Sequence, residues 1–522
     1  MRALLSVIFL ILAIIILLVN NLRSSWFDWG ILVRRINFCP RIVLDTMSCT
    51  GSFLVLFIRR CVFIFTYYYF PAGAISNRFV MLLALFVLSM LILLISGRVP
   101  SLLIGWDGLG VVSFLLILFY DSLSTKRSRM ITYSINRLGD GLWLRFIMVW
   151  LARGQLHSII GRRRFVLIIV IVAITKRAQF PFRSWLPLAM DAPTPVSALV
   201  HSSTLVTAGF FLLCRIQGDS INYVLILLGS MTLVVGGWSS LFRSDLKKLI
   251  AHSTLSNLGL IAVCLGAGNK IIILAQLGAH GLYKAGVFLM AGLVLMASLG
   301  VQDGRSTRKV KTSVFYSMLV ILVTSSCGVL FITTFNTKHV ILLLIQRRLF
   351  SLPMLLALTL GVLLTIGYSF RLIYVIRFPN YTLSISSPLI IGVFLTVLPL
   401  AVISLLIGHF YSVTSITNSY YFDVDSAVIL LLTAGSTLLF LSYTSKLSPR
   451  VFLLDGSLDW FSSKSSRFSN SFRVDIGWLA VKDPRSRFNP LYWSNNPLEG
   501  ITNSQIVVSH LCLVFIIYFV LF

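Results

Sequence analysis

Runs of about 20 apolar residues, separated by short connectors, recur along almost the whole chain, and no other feature restricts its fold so tightly. They fall near residues 3–19, 46–70, 79–96, 101–120, 135–152, 165–183, 195–214, 221–241, 249–267, 270–299, 313–334, 340–375, 388–411, 427–444 and 505–522. As a helix, a run of this length crosses the hydrocarbon core of a bilayer. Lipid offers no partner to backbone N–H and C=O groups, so only helices and closed barrels span it. Continuous Leu, Ile, Val and Phe, rather than strict alternation, favours helices. The expected fold is all-α: a polytopic transmembrane helix bundle of about 15 spans. Of the 522 residues 57% are apolar and 11% charged, and the mean hydropathy of +0.93 lies far above that of a soluble globular chain. Residues 3–19 follow Arg2 and could pass for the core of a signal peptide. With further spans behind them and no clear cleavage site, a retained first helix is the expectation.

The 44 basic residues outnumber the 16 acidic ones, giving a net charge of +28, and Glu499 is the single Glu. In a soluble chain such a balance would suggest nucleic acid. Here the Arg and Lys lie mostly in connectors a few residues long, so nucleic acid is not expected as a partner. Anionic lipid and acidic partner subunits are the expected counter-charges. The connectors 121–134 and 153–164 should lie on opposite sides of the membrane, yet both are basic, which blunts the positive-inside rule. The seven Cys form no CxxC pair, so they indicate neither an iron–sulfur cluster nor a zinc site and read as small apolar residues.

The stretch 445–504 is the longest without a convincing span. Its apolar residues Val451, Leu454, Leu458, Phe461, Phe468, Phe472, Ile476 and Leu479 recur at three- and four-residue spacing with one gap. A helix over 451–481 would run about 46 Å along the membrane surface or along partner helices, before Pro484, Pro490 and Pro497 stop it. The alternative is a solvated loop with chance periodicity. A last span over 505–522 would anchor the end.

Ionisable groups inside spans cost roughly 2.5–3.5 kcal/mol each on insertion scales, so each needs a reason. Asp107 lies in an apolar run beside Gly105, Gly108 and Gly110. The GWDGLG string around it has neither the glycine spacing nor the βαβ context of a dinucleotide site. Lys176 precedes Pro181 and Pro187, so its helix should break about one turn further on. His201 sits among small and hydroxyl residues in Thr194–Gly209, a segment able to hold water. Gln276, His280 and Lys284 recur every four residues and share one face. Lys338 and His339 interrupt another apolar run. Taken singly, each has an ordinary reading: a Lys near a helix end snorkels to the interface, an Asp beside glycines caps locally, and a buried His is a satisfied core residue. Arg59, Arg60 and Arg145 also fall within apolar runs and have no role in this reading. Together the set fits proton transfer. Burial makes a lysine release its proton more readily and a nearby carboxylate opposes this, so moving the acid can shift such a lysine across neutral pH.

The chain resembles the antiporter-like membrane subunits of respiratory complex I, the NADH:ubiquinone oxidoreductase. The resemblance runs through LDTMS (Leu44–Ser48), GWDGLGVVSF (Gly105–Phe114), NRLGD (Asn136–Asp140), the segment Lys176–Gly209, SDLKKLIAHSTLSNLGL (Ser244–Leu260), AHGLYKA (Ala279–Ala285) and YSFRL (Tyr368–Leu372). It is strong over about 100–290, thinner to about 375 and architectural beyond. Related sodium–proton antiporter subunits share the central motifs, but the length and tail fit the complex I branch.

The resemblance implies two inverted five-helix repeats, each with a broken helix, followed by the lateral helix and the anchoring span. The implied parts are N-terminal spans (1–96), a proton-translocating core (97–375), further spans (376–444), the lateral segment (445–504) and the anchor (505–522). By position, Asp107 matches the family's acid that partners a lysine, and Lys176 matches that lysine. Asp140 matches the acid of the NRxGD motif, His201 the histidine of the next helix segment, His280 and Lys284 the central axis, and Lys338 the terminal lysine. Gln276 stands where the family usually has a first central histidine. His339 replaces an Asp and Leu330 a Pro, leaving Gly328, Thr333 and Thr334 to open the second broken helix. Arg177, beside Lys176, must point elsewhere. The implied function is proton translocation in the mitochondrial inner membrane. No redox centre is expected in this chain; NADH, FMN, iron–sulfur clusters and ubiquinone would lie on other subunits of the membrane and redox assembly. A free-standing sodium–proton antiporter and a structural scaffold with a decayed relay are the alternatives.

Overall fold

The structure is a computed structural model. It describes residues 41–70, 77–97, 99–119, 123–152, 163–217, 223–268, 270–298, 300–304, 313–328, 352–377 and 394–405, with short pieces at 25–28, 32–33, 36–37, 308–310, 334–335, 337–338, 340–342, 381–383 and 392. The expected spans at 3–19, 427–444 and 505–522 and the lateral helix at 451–481 lie outside the described residues, as do Leu330, Thr333 and His339.

The apolar runs fold as helices: α1 (Thr46–Tyr69), α2 (Asn77–Ile95), α3 (Val99–Ile117), α4 (Leu123–Ala152), α5 (Arg163–Lys176), α6 (Thr194–Leu199), α7 (Leu205–Gln217), α8 (Tyr223–Phe242), α9 (Leu246–Gly266), α10 (Lys270–Ala297), α11 (Ser313–Cys327) and α12 (Leu352–Arg377), with a shorter α13 (Phe394–Leu405). Among the described residues, 7 helical stretches are long and apolar enough to cross a membrane: α1, α2, Thr194–Arg215, α8, α9, Ile272–Ala297 and Met354–Ile376. The chain is thus a multi-pass membrane protein. Its layering follows from lipid as solvent. Over half of the residues in the apolar stretch of α2, the most apolar of these spans, face outward, whereas the apolar stretch of α9, which carries Ser253, Thr254, Ser256 and Asn257, is wholly buried. Hydroxyl and amide groups go inward because the hydrocarbon outside offers them nothing.

The structure departs from the sequence reading in two places here. The basic stretch 121–134 was expected to connect spans, but α4 starts at Leu123 and includes it. No Gly or Pro interrupts Leu123–Asn136, so the backbone ladder continues past the apolar run, and Lys126 and Arg127 are exposed on it. The second change is local β pairing in an otherwise helical chain. β1 (Ser25–Asp28) pairs antiparallel with β4 (Arg41–Leu44), and β2 (Leu32–Val33) with β3 (Ile36–Asn37). β5 (Arg308–Val310) pairs in parallel with β6 (Tyr381–Leu383). Strands this short are confined to connectors and alter no span.

The LDTMS motif has a local explanation. Asp45 caps α1, with its backbone N–H donating to Ser48 Oγ at 2.7 Å in a reciprocal capping box. Close by, the Arg215 guanidinium at the end of α7 donates to the carbonyls of Leu94 and Ser96, the open C-terminal end of α2. Helices α8 and α9 meet backbone to backbone: a Cβ on Gly259 would lie 2.5 Å from the Leu233 nitrogen.

Candidate functional site

Lys176 lies where a helix stops. Helix α5 ends at Lys176 itself, one turn earlier than the sequence suggested; Ala178 then takes φ of 53° and a cis Phe180–Pro181 bond follows. The chain re-forms as one helical turn (Trp185–Leu188) and a 3₁₀ turn (Ala189–Asp191) before α6. Side chains from elsewhere satisfy groups that the break leaves open. Trp185 Nε1 donates to the Thr175 carbonyl at 2.9 Å, Lys247 Nζ to the Ala192 carbonyl at 3.0 Å, and Thr232 Oγ1 to Gln179 Oε1.

The Lys176 ammonium is completely buried. It pairs with Asp140 Oδ1 at 3.3 Å, donates to the Trp106 carbonyl and lies 4.2 Å from the centre of the Trp106 ring. Trp106 Nε1 in turn donates to Asp140 Oδ1 at 2.8 Å, closing a ring of three groups. Such close seating depends on a small residue at 139, where a side chain would overlap the Thr175 hydroxyl.

Asp107 was expected to be the carboxylate against Lys176; the structure gives that place to Asp140. Trp106 and Gly110, four residues apart, turn one face of α3 toward Lys176, and Asp107 is rotated by one residue, about 100°, toward α4. There it accepts from Arg137 NH1 at 2.6 Å. The same NH1 is 3.7 Å from Asp140 Oδ2, so Arg137 stands between the two acids. Sequence reasoning gave Arg137 no role, although it lies in the NRLGD string three residues before Asp140, on the same helix face. Arg177 points away from Lys176, as it must, and its guanidinium lies 4.4 Å from the Phe210 ring.

Beyond this break lies a buried polar interior. His201 occupies a π turn, Val200–Thr204, that joins α6 to α7, and its ring is 6.1 Å from that of Trp185. Among the described residues, neither of its ring nitrogens has a hydrogen-bond partner. Gln276, His280 and Lys284 are all buried on α10. His280 Nδ1 meets Tyr283 OH at 3.3 Å and its Nε2 is unpartnered; Lys284 donates to Ser253 Oγ of α9 at 2.7 Å. Tyr368 of α12, whose ring is 5.6 Å from the Lys284 ammonium, accepts from Asn257 Nδ2 at 2.9 Å. Ser253, Asn257 and Tyr368 belong to motifs noted in the sequence, but only the packing of α9 against α10 and α12 reveals their place.

Helix α11 ends at Cys327. Gly328 takes φ of 73°, and Thr334 Oγ1 folds back to donate to the Ser325 carbonyl. Lys338 is buried, and its ammonium donates to the carbonyls of Ser326 (3.1 Å) and Cys327 (2.8 Å) and to Thr365 Oγ1 (3.1 Å). Thr337 Oγ1 donates to Gln276 Oε1, which links this segment to α10.

The site is thus a set of buried lysines, Lys176, Lys284 and Lys338, inside a helical membrane bundle, the first of them at the break that ends α5. Residues 96–366 match the NADH:quinone oxidoreductase/Mrp antiporter transmembrane family, and the chain belongs to that family. At the level of particular proteins it is similar to NADH-ubiquinone oxidoreductase chain 5 of Caenorhabditis elegans, 37% identical over 363 residues, which cover 67% of each chain. The corresponding chain of Aedes aegypti is 35% identical over 66% of this chain and 63% of its own length. That of Lumbricus terrestris is 38% identical over 58% and 54%. The matched region thus spans roughly half to two thirds of these relatives. Two solved structures share the fold. The Mrp complex from a Dietzia species aligns with a TM-score of 0.71 and 20% identity, covering 93% of this chain and 61% of that one. An archaeal membrane-bound sulfane sulfur reductase aligns with 0.67 and 17%, covering 85% and 93%.

Proposed function

We propose that this chain is a proton-translocating membrane subunit of NADH:ubiquinone oxidoreductase in the mitochondrial inner membrane. It would move protons along a Lys, Asp, His and water relay driven by electron transfer in neighbouring subunits. The observation that carries this is Lys176: a fully buried ammonium at a helix break, held by one carboxylate, one carbonyl and one indole. A charge so placed is expensive as a mere strut, whereas a group that gains and loses a proton needs this mixture of burial and counter-charge. Asp107, Asp140, Lys176, His201, His280, Lys284 and Lys338 form the relay. The free ring nitrogens of His201 and His280 are its hand-over points, with water between side chains that do not touch. In this reading NADH, FMN, iron–sulfur clusters and ubiquinone belong to partner subunits, and anionic lipid balances the basic connectors.

The test uses the assembled complex in sealed vesicles, comparing NADH oxidation with proton uptake. Lys284→Met should lower the protons moved per NADH while oxidation continues; an unchanged ratio would overturn the relay. The family's Mrp members suggest a second reading, a sodium–proton antiporter, which sodium-dependent proton flux by the isolated chain would reveal. A scaffold with a decayed relay fits Gln276, but the three interior hydrogen bonds of Lys338 speak against a lysine left over at the lipid surface.

A further inference from the structure

We infer that the Tyr283 phenol is a proton-transfer residue of this chain, handing protons between His280 and the site of Lys338. The inference rests on the relay reading and fills a gap which that reading leaves open. Gln276, one turn before His280 on α10, has its carbonyl oxygen engaged by the Thr337 hydroxyl, and an amide neither gains nor loses a proton near neutral pH. Tyr283 lies three residues after His280 on the same helix and is wholly buried. A phenol in that position needs a polar partner, and it has one.

Three helices give the phenol its place. Its hydroxyl meets His280 Nδ1 at 3.3 Å, with the two rings edge to face and their centres 5.6 Å apart. It also lies within electrostatic reach of the Tyr368 hydroxyl of α12 and the Cys327 thiol of α11. The Cys327 carbonyl accepts from Lys338 at 2.8 Å, so the phenol links the histidine to the surroundings of the last lysine. The Lys284 ammonium lies 5.8 Å from the centre of the Tyr283 ring and 5.6 Å from that of Tyr368, and its hydrogen bond goes to Ser253 of α9. A phenol has one O–H to give and lone pairs to receive. A proton taken up at the free Nε2 of His280 makes the ring an imidazolium, and Nδ1 then gives one up to the phenolic oxygen. The proton already on that oxygen leaves through water to the Lys338 amine. One N–H bond and one O–H bond break, one of each forms, and both His280 and Tyr283 end the step neutral. No anion is left in the apolar interior, where a lone charge is expensive.

Tyr283→Phe keeps the ring and removes only its oxygen, which makes it the test. Protons moved per NADH are measured in sealed vesicles holding the assembled complex, with the assembled amount checked on native gels. In a serial relay the loss of any link has the same result, so Tyr283→Phe should lower this ratio as far as Lys284→Met does while NADH oxidation continues. Tyr283→His supplies another ring atom that takes and gives a proton, and should recover part of the ratio. A ring needed only for packing gives the reverse order, tolerating Phe and losing assembly with His. An unchanged ratio in Tyr283→Phe, or a ratio no higher in an assembled Tyr283→His than in Tyr283→Phe, would overturn the inference. Should either variant assemble poorly, the ratio still decides, because it counts only the complex that oxidises NADH; should Tyr283→His not assemble at all, Tyr283→Phe decides alone. Lys284→Met separates the two readings. An unchanged ratio there overturns the relay and this inference with it, whereas a fall there without one in Tyr283→Phe overturns only the role of Tyr283.

Discussion

The buried lysines at the end of α5 and beyond the end of α11 are held by different means. At the first, Lys176 has a carboxylate at 3.3 Å, and that carboxylate is itself shared with an arginine. At the second, Lys338 is equally buried but is held by two carbonyls and a hydroxyl, and among the described residues no carboxylate lies within ion-pair distance of it. A carbonyl cannot change its charge, whereas a carboxylate with a competing partner can be drawn away. In the proposed relay the first lysine thus has a partner whose charge can change, and the second has none among the described residues.

Variants that blur the contrast should matter most at the first break. Asp140→Asn strands a buried ammonium, and removing one partner of a buried pair typically costs about 3–5 kcal/mol. It should reduce both the assembled amount and proton uptake at least tenfold, seen on native gels and by vesicle assays. Lys338→Met leaves only two carbonyls and a hydroxyl to find other partners, so it should assemble more fully than Asp140→Asn while lowering uptake; equal losses of assembly would erase the distinction. Next in size is Gly139→Ala, whose methyl meets the Thr175 hydroxyl and forces α4 from α5. Overpacking costs about 1–3 kcal/mol, and a lowered thermal midpoint of the complex that Thr175→Ser does not share would locate the clash. The smallest effect belongs to the interior between the two lysines. Gln276→Leu removes the acceptor for Thr337 but no titratable group, so it should reduce uptake less than Lys284→Met does. A larger loss for Gln276→Leu would show that the amide, not the lysine, limits transfer there.

What the sequence displayed was the chemistry of single helices. Pro181 and Pro187 announced the first break, the four-residue spacing put Gln276, His280 and Lys284 on one face, and the apolar runs gave the helices. What it could not display was helix phase relative to a neighbour. Whether Asp107 or Asp140 meets Lys176 depends on how α3 is rotated about its axis, and a single residue's offset decides it. Arg137 was hidden for the same reason, since an arginine in a run of polar residues says nothing of the two acids on either side. The start of α4 was missed because hydropathy marks where a helix meets lipid, not where its hydrogen bonds begin.

The π turn at Val200–Thr204 has a consequence for how this chain can change over time. Leu205 N–H reaches back five residues to the Val200 carbonyl, so the segment carries one residue more than a regular helix would place there. That extra residue rotates everything beyond it by about 100° relative to α6. Arg215 and its hold on the end of α2 therefore depend on an insertion more than ten residues away. Point substitutions in this stretch can be absorbed one at a time, but loss of any single codon between Val200 and Thr204 would turn the whole of α7 to a different neighbour at once. Length, more than identity, is the constrained quantity in this segment.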